Sequence, residues 1–151
     1  MRKIVAITLT AAIVATAGAA MAATTNVAVT AAVVGTCQFN SNVAVGFGNL
    51  DQTVGTNATA TGNVNFWCTK NSAYILGDET NPTVGDGTFS GTLVAGPESI
   101  PYTLAYTNVT GNGAGKTTSI TSTITGTIAN ADYVNVAAGN YTDIVTFTIA
   151  P

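Results

Sequence analysis

Few side chains in this sequence have the types or spacing that catalysis requires. The 151 residues include no histidine, two cysteines, and seven acidic against four basic side chains, for a formal charge of −3. Histidine is the usual base beside a nucleophile and a frequent ligand of zinc, so its absence excludes histidine-based triads and most zinc sites. The sequence therefore predicts a protein that is not an enzyme and that holds no cofactor or metal.

Two segments resemble binding sites but have the wrong spacing. The first is an acidic group, Asp78, Glu79, Asn81 and Asp86. Its oxygens could gather around calcium, but the spacing does not match an EF-hand, and a solvated acidic loop is favoured. The second is the glycine-rich stretch 111–117, which has Thr110 where a phosphate loop requires glycine. A hairpin turn is the favoured interpretation of that stretch.

The first 22 residues have the organisation of a secretory signal. A basic start at Arg2 and Lys3 precedes an apolar run from Ile4 to about Ala17, and small residues at Ala20 and Ala22 fit a cleavage site after Ala22. An N-terminal membrane anchor is the alternative. Residues 23–151 contain no further apolar stretch long enough to cross a bilayer. We therefore expect an exported protein.

Export determines how the two cysteines are interpreted. Cys37 and Cys68 are the only pair, and in an oxidising compartment such a pair usually forms a disulfide. Closing a loop of this length would contribute roughly 3–4 kcal/mol in the chain-entropy model. Two redox-active thiols are the alternative, but the spacing is not that of a CxxC motif and no nearby cation would lower a thiol pKa.

The segment before the first cysteine alternates in hydrophobicity. Val27, Val29, Ala31 and Val33 share one face of an extended chain, and period two over residues 25–34 predicts a strand. Only Gly35 and Thr36 separate this segment from Cys37. It could be the first strand of its own sheet, or a strand that adds itself to the exposed sheet edge of another molecule.

The rest of the chain also alternates with period two, between turn signals. Apolar residues alternate or share one face at Val43, Val45 and Phe47; at Val64, Phe66 and Cys68; at Ile100, Tyr102, Leu104 and Tyr106; at Ile120, Ile124 and Ile128; and at Tyr141, Val145, Phe147 and Ile149. Residues 51–62 could be a loop or an edge strand, and Pro101 favours an edge position or a strand start. No segment has convincing helical periodicity. Seven or eight short strands of this kind predict an all-β antiparallel sandwich.

Several stretches are similar to a known family. They are Gly35-Thr36-Cys37, Val45-Gly46-Phe47-Gly48, Gly62 to Thr69 with the second cysteine, Tyr74 to Leu76, Pro101 to Tyr106, and the closing stretch from Gly139 to Ile149. In these stretches the chain resembles the spore coat protein U family, which includes pilins of the archaic chaperone–usher pathway.

The resemblance implies a fold and a mode of assembly. Such pilins are immunoglobulin-like antiparallel β-sandwiches that lack their final strand and are completed by a donor strand from a neighbouring subunit. Transferred to this sequence, residues 23–35 would be the donor-strand segment, with Val27, Val29, Ala31 and Val33 inserted into the neighbour, and residues 36–151 the sandwich domain. The implied function is a structural subunit, a shaft pilin, of an adhesive surface pilus. Its implied partners are identical or related subunits, a periplasmic chaperone and an outer-membrane usher.

Two other classes of function stay open at this point. An exported sandwich that binds carbohydrate or protein, or forms a coat, would require exposed, clustered aromatic side chains if its ligand were a sugar. A secreted hydrolase would require two convergent carboxylates, which spacing alone does not exclude because partners can come from distant strands.

Overall fold

The computed structural model describes residues 22–151. The expected signal segment therefore lies outside the described residues except for Ala22. The chain divides into two units, and the second of them, Val33–Pro151, contains every described strand and helix. Residues 22–32 contain neither, and their side chains are exposed. No helix in the described part of the chain is long and apolar enough to span a membrane.

The described chain forms two antiparallel sheets. Its elements are β1 (Cys37–Val43), β2 (Ala58–Cys68), β3 (Ala73–Asp78), β4 (Thr88–Ala95), β5 (Glu98–Tyr106), β6 (Thr110–Asn112), β7 (Ile120–Ile128), α1 (Asn130–Tyr133) and β8 (Phe147–Ala150). The first sheet has the order β1-β2-β7-β5-β4, and the second has the order β6-β3-β8. Every strand pair is antiparallel. The all-β antiparallel prediction is thus confirmed.

Aromatic side chains join the two sheets face to face. The ring centroids of Phe66 and Tyr74 lie 5.1 Å apart, and those of Tyr106 and Phe147 lie 5.2 Å apart, each pair linking one sheet to the other. Alternate residues of β5 and β7 are buried between the sheets, while the threonines between them face outward. Burial of each large apolar side chain contributes about 1.5–3 kcal/mol. The period-two pattern in the sequence therefore records the two sides of these strands.

Two details of this fold agree with edge positions expected from the sequence, and a third was not predicted. Residues 58–62 belong to β2 but pair with β7 alone, because β1 pairs with β2 only from Asn63 to Cys68, so this part of β2 is an open edge. The small residues Ala60 and Gly62 weaken the apolar signal of this part of the strand. Pro101 lies inside β5, but β5 pairs with β7 only from Thr103 onward, so Pro101 faces a partner strand on one side only. The four-residue α1 is too short to have a periodic signature.

The predicted N-terminal strand is also absent from the structure. Residues 25–34 contain no strand, although their apolar residues alternate. A strand exists only where a neighbour accepts and donates its main-chain hydrogen bonds. The alternating apolar residues in this segment therefore show which side chains share a face, but the segment forms no strand pairing within the described chain.

Candidate functional site: an open groove between two unpaired segments

Two segments that the sequence predicts to be strands have no strand partner. β1 ends at Val43, so residues 44–47 continue without a ladder, and β8 begins only at Phe147. Before β8, Thr142 forms a single isolated bridge with Val94, and residues 143–146 form no ladder bond within the described chain. Both stretches keep the alternating pattern of a strand but lack the strand that would pair with them.

The two unpaired segments face each other across a groove. This groove is a cavity of about 360 Å³ between residues 42–47 and residues 143–147. Its floor consists of inward-facing side chains of the first sheet, Val64, Leu93, Tyr102, Leu104 and Ile124. The groove therefore opens directly onto the hydrophobic core, as it would if one strand of a sandwich were missing.

A second cavity continues the groove at one end. It has a volume of about 840 Å³ and is lined by residues 45–50, by Gln52 and by residues 136–142. Val45, Phe47 and Leu93 line both cavities. The opening thus follows the chain from residue 42 to residue 52, which is a length suited to an extended segment rather than to a compact small molecule.

Two glycines in the first sheet determine where one wall of the groove lies. A Cβ at Gly126 would meet Phe47 Cζ at 2.7 Å and Val45 Cγ1 at 2.9 Å, and a Cβ at Gly62 would meet the Val43 carbonyl oxygen at 2.6 Å. Only glycine leaves this space free. The absence of two side chains therefore allows residues 43–47 to cross over the inner face of β2 and β7.

One polar pair interrupts the apolar lining of the groove. Tyr102 Oη donates a hydrogen bond of 2.7 Å to Asp143 Oδ2, linking the floor to the opposite wall. Burial, strengthened by this hydrogen bond and the negative charge of Asp143, raises the pKa of Tyr102. The phenol therefore stays neutral and keeps donating its proton. Asp143 is the one carboxylate among the residues that line the groove.

The rim of the groove exposes apolar side chains to solvent. Ile144 is 85% exposed and Val43 is 56% exposed. Thr146 N–H reaches only the Glu79 side chain, at 3.3 Å, instead of a main-chain partner. Unpaired backbone beside exposed apolar side chains is the combination that an added strand satisfies, through ladder bonds on one side and side-chain burial on the other.

The residues predicted to form a donor strand are exposed. Val27, Val29 and Val33 have exposed fractions of 79%, 90% and 86%, and Ala31 is exposed as well. Exposure of this kind in an alternating apolar segment leaves a large apolar surface without a partner in the described chain. The structure does not show what covers it, so its role stays a prediction.

The two cysteines are bonded to each other, as the sequence predicts. The Cys37–Cys68 disulfide joins the first residue of β1 to the last residue of β2, and the two residues face each other in the ladder. The described chain has no free cysteine. The bond therefore anchors β1 at the point where the exposed N-terminal segment joins the domain.

The acidic group around residue 78 has a structural role. Asp78 is fully buried, and its Oδ2 accepts a hydrogen bond of 2.8 Å from Tyr106 Oη, while its Oδ1 accepts from the Thr80 and Asn81 backbone N–H groups. Burial, with the hydrogen bond to Asp78, raises the pKa of Tyr106. No group of potential metal ligands occurs among residues 22–151. These contacts fix the turn after β3.

The glycine-rich stretch 111–117 is not the predicted hairpin turn, because it begins inside β6 and leads to β7 in the other sheet, and these two strands do not pair. Residues 110–112 form the short strand β6, which pairs with β3, and the following turn leads into β7. A strand at 110–112 was not predicted, because three residues are too few to give a pattern. Gly113 is buried, and a Cβ there would meet the Thr69 carbonyl oxygen at 2.3 Å. Close packing explains this glycine without a phosphate.

Sequence reasoning did not identify the residues that form the acceptor side of this site. The family resemblance implies a groove where the final strand is missing, but not which residues line it, because the two walls are far apart in the chain and only the sheet order brings them together. The sequence does contain a signal for the two walls, namely the alternating segments at 43–47 and 141–149. They could have been interpreted as two strands that share one missing partner strand. No such signal marks the Tyr102–Asp143 hydrogen bond or the two glycines, Gly62 and Gly126, whose missing side chains leave room for residues 43–47.

Comparison with known proteins identifies the family. The family model of the Spore Coat Protein U domain matches residues 23–148, which is most of the chain. A separate comparison with curated proteins found no match. The match includes the exposed N-terminal segment as well as both walls of the groove. The chain therefore belongs to the Spore Coat Protein U domain family.

Proposed function

We propose that this protein is a structural subunit, a shaft pilin, of an adhesive surface pilus, and that residues 23–35 of one subunit fill the groove of the next. The observation that carries the proposal is the open groove between residues 42–47 and 143–147, where two strand-like segments lack a common partner. The domain formed by residues 36–151 is then the acceptor. Family membership supports the proposal.

Main-chain and side-chain interactions would act together in this assembly. An extended segment placed between the two walls would form ladder bonds with residues 143–146, whose backbone lacks them now. On its inward face, each of Val27, Val29 and Val33 would contribute about 1.5–3 kcal/mol on burial, and Ala31 would contribute less. Because all these contacts form or break together, dissociation would be slow, as a filament under load requires.

The same groove explains the expected accessory partners. Before assembly, an open core exposes apolar side chains such as Ile144, which favours aggregation. A periplasmic chaperone that lends a strand would cover it, and an outer-membrane usher would exchange that strand for residues 23–35 of the next subunit. Secretion directed by residues 1–22 would deliver the chain to the compartment where the Cys37–Cys68 bond forms.

The two other classes of function receive less support. A sugar-binding platform requires several exposed aromatic side chains, and Phe39 is the one aromatic residue among residues 22–151 that is exposed. A hydrolase requires two convergent carboxylates in an open site. The groove offers Asp143 alone.

A pair of substitutions on the two faces of one strand tests the proposal. Val29→Asp places a charge on the face expected to enter the groove, and Thr30→Asp places the same charge on the opposite face. We expect filaments by electron microscopy from the wild type and Thr30→Asp, and none from Val29→Asp, with all three folded by circular dichroism. Normal filaments from Val29→Asp, or a wild type that does not polymerise, would overturn the proposal.

A further inference from the structure

The domain carries its two basic side chains at one end and three of its seven acidic side chains at the other. In the ladder of β2 and β7, the pair Phe66–Ile120 lies at one end and the pair Ala58–Ile128 lies at the other. The eleven residues of β2 span about 33 Å. We call the end that carries Lys70 and Lys116 the basic end. The end that carries Asp51, Glu98 and Asp132 is the acidic end.

The basic end has both basic side chains found between residues 23 and 151. Lys70 follows the last residue of β2 by two positions. Lys116 Nζ lies 5.8 Å from the ring centroid of Trp67, the penultimate residue of β2. A Cβ at Gly115 would lie 3.9 Å from Lys70 Cβ, so the turn before Lys116 runs beside Lys70. Both lysines are exposed.

The acidic end gathers three carboxylates from different elements. Asp132 lies in α1, which directly follows β7. Gln52 Nε2 donates a hydrogen bond of 3.0 Å to the Tyr133 carbonyl oxygen, which holds Asp51 beside that helix. Glu98 is the first residue of β5, and the β5–β7 register, with Thr103 opposite Thr127, places it at the same end. Of the four other acidic side chains, Asp78 and Asp86 contact Tyr106, whose ladder partner Ile124 is in the middle of β7, Glu79 follows Asp78, and Asp143 contacts Tyr102.

The N-terminal segment joins the domain at the basic end. The Thr36 carbonyl oxygen accepts a hydrogen bond of 2.9 Å from Thr69 N–H, next to Lys70. Val34, Gly35 and Thr36 are therefore the link between Val33, the last residue of the expected donor strand, and the basic end. Three extended residues span about 10 Å.

The direction of the groove determines which ends meet in a polymer. β8 pairs with β3 in the register Phe147–Asp78 and Ala150–Ile75, and β3 follows β2 from the basic end, so the wall 143–147 runs toward the basic end. A donor strand antiparallel to this wall would run the other way and finish at the acidic end of the acceptor. The short link would then hold the donor's own basic end close by.

We infer that the basic end of each subunit, Lys70 and Lys116, docks against the acidic end, Asp51, Glu98 and Asp132, of the subunit whose groove it fills. The inference rests on the proposed donor-strand function and adds a second contact with a second copy of this chain. A parallel donor strand would instead bring two basic ends together, where like charges repel. The charge distribution thus favours one orientation of the donor strand.

The range of these charges matches the length of the link. At physiological ionic strength the Debye length is about 8 Å, close to the span of the link, and at low salt it is about 30 Å. Residues 23–151 have seven acidic and two basic side chains, so two copies repel each other in most orientations. When the basic end of one subunit faces the acidic end of the next, opposite charges attract and offset this repulsion.

Charge reversal at the two ends tests the inference. The first variant is Lys70→Glu with Lys116→Glu, the second is Glu98→Lys with Asp132→Lys, and the third combines all four changes. Asp51 stays unchanged because its carboxylate also accepts hydrogen bonds from Thr53. Polymer growth is measured by light scattering and electron microscopy at low salt and at high salt, where the Debye length falls toward about 3 Å.

The expected results separate this inference from the proposed function. At low salt each double variant should polymerise at least tenfold more slowly than the wild type, and the combined variant should recover most of the rate, since electrostatic steering changes association rates by about 10–10³. At high salt all rates should converge. Equal rates at low salt, or no recovery in the combined variant, would overturn the docking of opposite ends while filaments still form. A wild type that forms no filament would overturn both proposals.

Discussion

Replacing both cysteines of the disulfide should lower the free energy of unfolding by about 4 kcal/mol. The Cys37–Cys68 bond closes the β1–β2 ladder at its first pair, and β2 is the one ladder partner that β1 has in the described chain. Without the bond, β1 and the groove wall that continues from it at residues 44–47 are held by hydrogen bonds and side-chain packing alone. The double substitution Cys37→Ala with Cys68→Ala therefore affects the site as well as the fold.

The magnitude follows from the length of the closed loop. The two cysteines are separated by 31 residues. In the chain-entropy model, such a loop removes about 12 cal/mol/K from the unfolded chain, which is about 3.7 kcal/mol at 25 °C. A domain of this size has a total free energy of unfolding of about 5–15 kcal/mol. The predicted loss is therefore a large fraction of its stability.

The assay is equilibrium unfolding in guanidinium chloride, followed by circular dichroism. The protein with the disulfide and the variant with both cysteines replaced by alanine are each measured with the additional substitution Val29→Asp. We expect this substitution to prevent polymerisation, so that the unfolding transition does not depend on protein concentration. The control is the same protein with its cysteines present but reduced, which should match the alanine variant to within about 1 kcal/mol. A loss below about 1 kcal/mol would refute the reasoning, because the unfolded chain would then not be constrained by the bond.

Two further predictions concern the packing of the groove wall and a buried tyrosine. Gly126→Ala should destabilise the domain by about 1–3 kcal/mol, because its Cβ would meet Phe47 Cζ at 2.7 Å, as thermal unfolding would reveal. Gly46→Ala, whose Cβ would meet nothing within 4 Å, is the matched control and should shift stability by no more than about 0.5 kcal/mol. Burial and the hydrogen bond to Asp78 raise the pKa of Tyr106 in the folded protein. Above about pH 10 the unfolded chain loses this phenol proton while the folded protein keeps it. The free energy of unfolding should therefore fall as the pH rises above about 10. Tyr106→Phe should make that fall shallower, by at most about 1.4 kcal/mol per pH unit, in denaturation series at pH 9 to about 11. An unchanged slope in the phenylalanine variant, or equal stabilities of the two alanine variants, would contradict these assignments.

Alternation alone predicts the central strands well. The apolar residues from Ile100 to Tyr106 and from Ile120 to Ile128 mark β5 and β7 almost to the residue, because each strand has one buried and one solvated face. The same pattern overextends β1 and β8. Periodicity records which side chains are buried, whereas a ladder also requires a neighbouring strand, and residues 44–47 and 143–146 have none in the described chain.

The acceptor groove could not be predicted in the same way. Its walls come from opposite ends of the domain's sequence, and the sheet order that brings them together depends on core contacts such as Tyr106 with Phe147. The donor side is different, since its four alternating residues are local in the sequence. Local signals therefore predicted the segment that is proposed to insert, and only the structure revealed the place where it could fit.

A cryo-electron microscopy map of the assembled protein tests the central claim most directly. We predict an extended strand in the groove between residues 42–47 and 143–147, with Val27, Val29, Ala31 and Val33 of the neighbouring subunit facing the floor and its main chain paired with residues 143–146. The link Val34–Thr36 should leave that groove at the acidic end. An empty groove in a filament, or a groove filled by the subunit's own N-terminal segment, would contradict the account.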